Sequence, residues 1–221
     1  MRRARRERLV LAPLAAFVLA ASYGAARAVP RGMDGAAGPP IRVGLTVASD
    51  TPLFLASEGG LRLRDAQSGE LLLELPGPAR VEAGRSGERV RLRVPGREVP
   101  DVFSARAEPA GEEPLMLGGA PYRGAIEVFA VEDAGLNAVN ELPLEDYLLG
   151  VVPIEIGARS PAELAAVAAQ AVAARTYVVS HLRAREEMGF DVFGSVEDQA
   201  YGGMAAEREE STRAVRETAG R

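Results

Sequence analysis

The chain of 221 residues is long enough to bury a sizeable core, and its 47% apolar content marks it as globular. It has no cysteine, which excludes disulfides and thiolate metal sites, and all 26 of its basic residues are arginine. The net charge of −5 grows more negative once residues 1–28 are set aside, because they hold six arginines and one glutamate; the remaining 20 basic and 30 acidic groups argue against a nucleic-acid partner, which needs a basic face.

The opening "MRRARRERLVLAPLAAFVLAASYGAARAVP" has the layout of an export signal. Five arginines between Arg2 and Arg8 make a positive start, Leu9 to Ala21 is uncharged and apolar, and Ala26-Arg27-Ala28 offers a small-x-small cleavage site. Thirteen apolar residues fall short of the roughly 20 that span a bilayer. Counting on through Ala26 extends the uncharged run to 18, so an uncleaved anchor is the alternative. Either reading makes the body of the protein exported and extracytoplasmic, free or anchored facing outward. Any membrane contact runs through this segment alone.

Residues 29–40, "VPRGMDGAAGPP", read as a flexible linker. Residues 41–106 change character. Runs such as "IRVGLTVAS", "GLRLRDA", "ELLLELP" and "ERVRLRVP", set between Gly, Ser, Asp and Pro, predict an antiparallel β-rich region. Gln67-Ser68-Gly69 is the expected turn of one hairpin. Residues 107–121 read as a loop, and "AIEVFAV" and "GLNAVNEL" as two further strands. Pro143 then opens a short helix whose apolar face is Leu144, Tyr147, Leu148 and Val151, with Pro153 expected to end it. Ser160-Pro161-Ala162-Glu163 is a capping box that starts a helix expected to reach about Arg185. Alanine, leucine and valine surround nearly all of that helix, so it is expected to be a buried central one. The fold class is α+β: an antiparallel β-rich region, then a short helix and a long buried helix.

Glu155 stands alone in the apolar run "VVPIEIG". One reading makes it a loop carboxylate, in solvent or helping to cap the Ser160 helix. The other makes it a general acid, since apolar surroundings penalise the charged form of a carboxyl group. Gln170 and Tyr177 share one helix edge with Glu163 and His181, while Arg175 lies off it. Gln170, Arg175 and Tyr177 either satisfy one another or line a cleft. His181 is the only histidine, which is a poor basis for a metal site without cysteine. No G-x-S-x-G elbow supports a nucleophilic triad and no Gly-rich loop a bound phosphate, and no cofactor is expected.

The run "VNELPLEDYLLGVVPIEIGARSPAELAAVAAQAVAARTYVVSHL" resembles the stage II sporulation protein D (SpoIID/LytB) family. Its shared motifs fall at Asn140 to Tyr147, Val152 to Glu155 and Ala169 to Tyr177. "FDVFGSVEDQAYGG" is similar to the segment that follows in the family, with Gln199 and Tyr201-Gly202-Gly203 at matching places. The resemblance makes residues 122–221 a SpoIID-like catalytic region. It implies a lytic transglycosylase that cuts peptidoglycan glycan strands, preferably those stripped of stem peptides, with Glu155 as the catalytic acid. Gln170, Arg175, Tyr177, Gln199 and Tyr201 become the candidate substrate contacts. The other role known in the family is a non-catalytic one, enhancing a cell-wall amidase. Where some members bind zinc after the long helix, this chain has Phe193, Glu197 and Asp198, so no zinc is implied. The family's domain runs on past the position of Arg221, which implies a domain incomplete at its C-terminus.

Overall fold

The alternating runs after Ile41 fold as β1 (Pro40–Ser49), β2 (Leu53–Ser57), β3 (Leu61–Asp65), β4 (Leu71–Leu75), β5 (Ala79–Ser86) and β6 (Arg89–Arg93). This is a computed structural model, which describes residues 37–132 and 134–221. The signal or anchor expected at 1–28, and the linker up to residue 36, lie outside the described residues. The strands continue as β7 (Ser104–Pro109), β8 (Leu115–Leu117), β9 (Ala120–Tyr122), β10 (Ala125–Val131), β11 (Gly135–Pro143) and β12 (Val192–Phe193). The helices are α1 (Leu144–Ile156), α2 (Leu164–His181) and α3 (Glu209–Glu217). The architecture is α+β, strands first and helices later.

The larger sheet has the order β12-β1-β11-β10-β7-β3-β4 and the smaller β6-β5-β2-β8-β9. Period-2 alternation turns one face of each sheet toward the other. Leu61, Leu63, Ile126 and Val128 from the larger sheet meet Leu55, Val81, Leu92 and Leu115 from the smaller in one buried cluster. Each such side chain contributes roughly 1.5–3 kcal/mol by leaving water.

Two expectations need correcting. Residues 107–121 are not a loop: they hold the end of β7 and the tight hairpin β8–β9, because Leu115 and Leu117 both reach the core between the sheets. Nor does the chain divide near residue 121, since β1 pairs along its length with β11, and Pro40 faces Pro143 across the pair. The region from Ile41 and the region after residue 122 therefore share one sheet.

The helices pack on a second core where β1 and β11 leave the sandwich, built on Ile41, Val43, Leu142, Tyr147, Leu148, Val151, Val167, Ala171 and Val178. Here too the structure departs from expectation. Pro153 lies inside α1 and does not end it. α2 stops at His181, short of Arg185, and is buried on one side only: Val167, Ala171, Ala174, Arg175 and Val178 face inward, whereas Ala165, Ala166, Ala169 and Ala173 face water. Its capping box is present, with the Ser160 backbone N–H and hydroxyl both donating to the Glu163 carboxylate at 3.1 and 2.9 Å, although the first turn is a 3-10 turn.

Candidate functional site

Glu155 sits in the last turn of α1, which Gly157 closes by donating its N–H to the Pro153 carbonyl at 3.1 Å, with φ at +70°. The Glu155 side chain is exposed. Its Oε1 accepts one hydrogen bond, from the Ala200 N–H at 3.2 Å. Of the two sequence readings, one put it in a solvent-facing loop and the other in apolar surroundings. Instead it ends a helix, and its neighbour Ile154 is itself 45% exposed. The carboxylate meets a backbone donor on one side and solvent on the other.

What places that helix is a set of long-range contacts from the Asn140–Tyr147 motif. Asn140 is fully buried, and its amide donates to the carbonyls of Arg123 and Ala125 at 2.8 and 2.9 Å. Its Oδ1 accepts from the Tyr201 hydroxyl at 2.9 Å. Glu145 accepts from Arg175 through both carboxylate oxygens, each at 2.7 Å. Tyr147, also fully buried, aims its hydroxyl at Gln199 Oε1, 3.4 Å away, and its ring lies 5.0 Å from that of Tyr201. Burial pushes both tyrosine hydroxyls well above their ordinary value. The charges of Asp198 and Glu155 raise Tyr147 further, so both carboxylates lie within electrostatic reach of it.

Three of the five expected substrate contacts are therefore buried in the scaffold. Arg175, Gln199 and Tyr201 are 5%, 6% and 8% exposed, and each is held by a motif residue. Each of the three thereby helps to position the motif residue that it contacts. Gly150 shows how closely the parts fit: the Tyr201 ring packs directly on it, and its carbonyl accepts the Gly202 N–H at 3.1 Å.

Tyr177 and Gln170 stay nearer the surface. The Tyr177 hydroxyl donates to Asp198 Oδ1 at 2.6 Å, and its ring stacks on His181 with centroids 4.0 Å apart. Gln170 is half-buried and makes no side-chain hydrogen bond among the described residues. Asp198, which sequence reading considered only as a non-ligand to zinc, is a hub. It accepts from Tyr177, from Arg185 at 2.9 Å and from the Phe193 N–H at 2.7 Å. Burial alone would raise its carboxyl, but these donors outweigh burial and hold it below the usual range. The one hint in the sequence was its place beside Gln199. Asp198 and Ala200 thus tie a single loop to both α2 and the Glu155 end of α1. Among the described residues no group of three or more His, Asp or Glu side chains is placed to hold a metal ion. No described helix is long and apolar enough to cross a membrane.

Residues 132–221 match the family described as Stage II sporulation protein, SpoIID. A protein of Brachyspira hyodysenteriae, described as uncharacterized, is 39% identical over 93 residues, covering 42% of this chain and 24% of that protein. The likeness thus spans about a quarter of that relative. No solved structure matches the chain. The Asn140, Glu155 and Tyr177 motifs, assembled around one loop, all lie within residues 132–221, the stretch that is similar to the sporulation- and cell-wall-related SpoIID family.

Proposed function

We propose that this chain is an exported peptidoglycan lytic transglycosylase that uses Glu155 as its single acid and base on glycan strands stripped of stem peptides. The observation that carries the reading is the placement of Glu155. It is a lone, solvent-facing carboxylate at the end of a helix, and the surrounding polar motif residues are spent on holding that helix and its loop. A hydrolase needs two carboxylates, one of them to activate water. A transglycosylase needs one. Glu155 gives its proton to the glycosidic oxygen as the C1–O bond breaks, then takes the proton of the muramic acid 6-hydroxyl as O6 bonds to C1. The products are a 1,6-anhydromuramoyl end and a free 4-hydroxyl. Gln170 and Tyr177, nearer the surface, are the side chains that would meet sugar hydroxyls. Incubation with peptide-free glycan strands should release anhydro-ended fragments, and Glu155→Gln should release none. Reducing-end products, or cleavage unchanged in that variant, would refute the reading.

The openness of the site favours a second reading, a non-catalytic wall-binding module that stimulates an amidase. It predicts glycan binding and amidase stimulation that persist in Glu155→Gln, with no glycan cleavage by either form.

A further inference from the structure

Outside the Glu155 region, the outer face of the smaller sheet carries a cavity of about 920 Å³. The strand pattern explains its lining. Leu55, Val81 and Leu92 turn into the core, so Phe54, Arg80, Arg91 and Arg93 on the same strands point out. Its wall is the segment after β6. Val94 and Arg97 close a tight turn with Gly96 at φ +70°, and Val102 then returns to pair with Val90 through two backbone hydrogen bonds of 2.7 and 3.1 Å. Val102 thereby occupies the free edge of β6 at Val90, so a peptide cannot add there as another strand.

The cations in this cavity fall into two kinds. Arg91 is neutralised by Asp101 through two hydrogen bonds of 3.0 and 2.7 Å, and Arg93 by Glu82. Arg80 and Arg97 have no carboxylate partner among the described residues. The Arg80 guanidinium lies over the Phe54 ring, 4.8 Å from its centroid, so one face is fixed and its N–H edges stay free. Glu98 lines the same space without an ion pair among the described residues. The oriented Arg80 guanidinium and a second uncompensated one, Arg97, beside a free carboxylate and a 39% exposed phenyl ring form a polar, anion-selecting site in an otherwise acidic chain. The volume suits a ligand of several rings.

We infer that this cavity is a second glycan site, which binds a short oligosaccharide bearing carboxylates. Arg80 and Arg97 take the carboxylates, while Glu98 and the edge of Phe54 meet hydroxyls and the sugar ring. Hydrolysis of the amide between a stem peptide and its muramic acid frees one lactyl carboxylate per disaccharide. A stripped strand therefore presents the repeating charge that this site accepts, and an uncharged glycan of the same backbone does not. The choice of a muramyl glycan rests on the cell-wall reading above, but the site itself does not depend on cleavage at Glu155.

The test is calorimetric titration of the full chain carrying Glu155→Gln, so that no ligand is consumed. The probes are a peptide-free muramyl tetrasaccharide, uncharged chitotetraose and tetraglutamate. The muramyl tetrasaccharide should bind with an affinity that falls as salt is raised, and chitotetraose about tenfold more weakly or worse. Adding Arg80→Gln and Arg97→Gln should weaken muramyl binding about tenfold or more, while Arg85→Gln, outside the cavity, should leave it unchanged. Wild-type affinity in the double arginine variant would overturn the inference. So would equal affinity for chitotetraose, tighter binding of tetraglutamate, or no binding of the tetrasaccharide. Failure to release anhydro products in the cleavage assay would refute the transglycosylase reading and leave this result standing.

Discussion

Arg175 and Glu145, thirty positions apart, meet through two parallel hydrogen bonds of 2.7 Å each. The pair locks α2 to the start of α1. The same guanidinium also approaches the Val215 carbonyl at 3.3 Å and the Thr218 hydroxyl at 3.5 Å, which brings in α3. Arg175→Ala would leave a largely buried carboxylate without its partner and should destabilise the fold by about 3–5 kcal/mol. Arg175→Lys keeps the charge but loses the fork, so it should rescue only part of this loss. Urea unfolding of both variants checks the order.

Tyr201→Phe removes one hydroxyl and leaves the buried Asn140 Oδ1 without its donor. A stranded acceptor of this kind costs about 1–3 kcal/mol. Chemical denaturation should show the loss, and Asn140→Ala combined with Tyr201→Phe should be less damaging than the sum of the two single changes.

Gly150→Ala should be worse tolerated than helix propensity suggests, since alanine is ordinarily the better helix former. A β-carbon at this position would lie 2.6 Å from the Tyr201 ring and 2.9 Å from the Gly203 carbonyl oxygen. Overpacking should cost about 1–3 kcal/mol and push the 195–203 loop off α1. Thermal unfolding reads the first effect. Loss of glycan cleavage in Gly150→Ala, with Glu155 still present, reads the second.

Asp198 sets a pH dependence of stability. Its carboxyl is held below the ordinary 3.8 in the folded protein. The folded form therefore binds its proton less tightly than the unfolded form, and stability drawn from the charged group is complete above 3.8 and lost as pH falls through the lower folded value. The stability gap between wild type and Asp198→Asn should be widest near neutrality and should narrow as pH falls below 3.8. Unfolding curves across that range test it.

Glu155→Gln, by contrast, should leave stability within about 0.5 kcal/mol of wild type. The side chain is exposed, and a glutamine oxygen can still accept from the Ala200 N–H. Near-native unfolding alongside lost glycan cleavage would assign the defect to chemistry.

The strands were the most legible part of the sequence, because alternation and turn residues are local signals. The Gln67-Ser68-Gly69 turn and the Ser160 capping box are written in adjacent residues, and both are found. Pro153 misled for a physical reason. Proline deprives a helix of one hydrogen bond, but α1 is packed on the second core by Leu148, Val151 and Val152, whose burial outweighs that single loss. Alanine misled in another way. It scores as apolar, yet as the best helix former it also suits water-facing positions, as at Ala165 and Ala169 on α2. The substrate contacts were the least legible. An arginine or glutamine on a helix has the same letter whether its donors face a sugar or an internal carboxylate. The partners of Arg175, Gln199 and Tyr201 lie 30, 52 and 61 positions away.

The seating of β1 has a consequence for how the chain acquires its structure. This first strand lies between β11 and β12, and its Arg42 N–H bonds a carboxylate 149 residues further on. The earliest part of the sheet therefore stays unpaired along one edge until Asp191 to Phe193 are available. Closing loops of that length before the contacts repay the lost entropy makes folding slow. The protein has the architecture of a molecule that assembles late and all together.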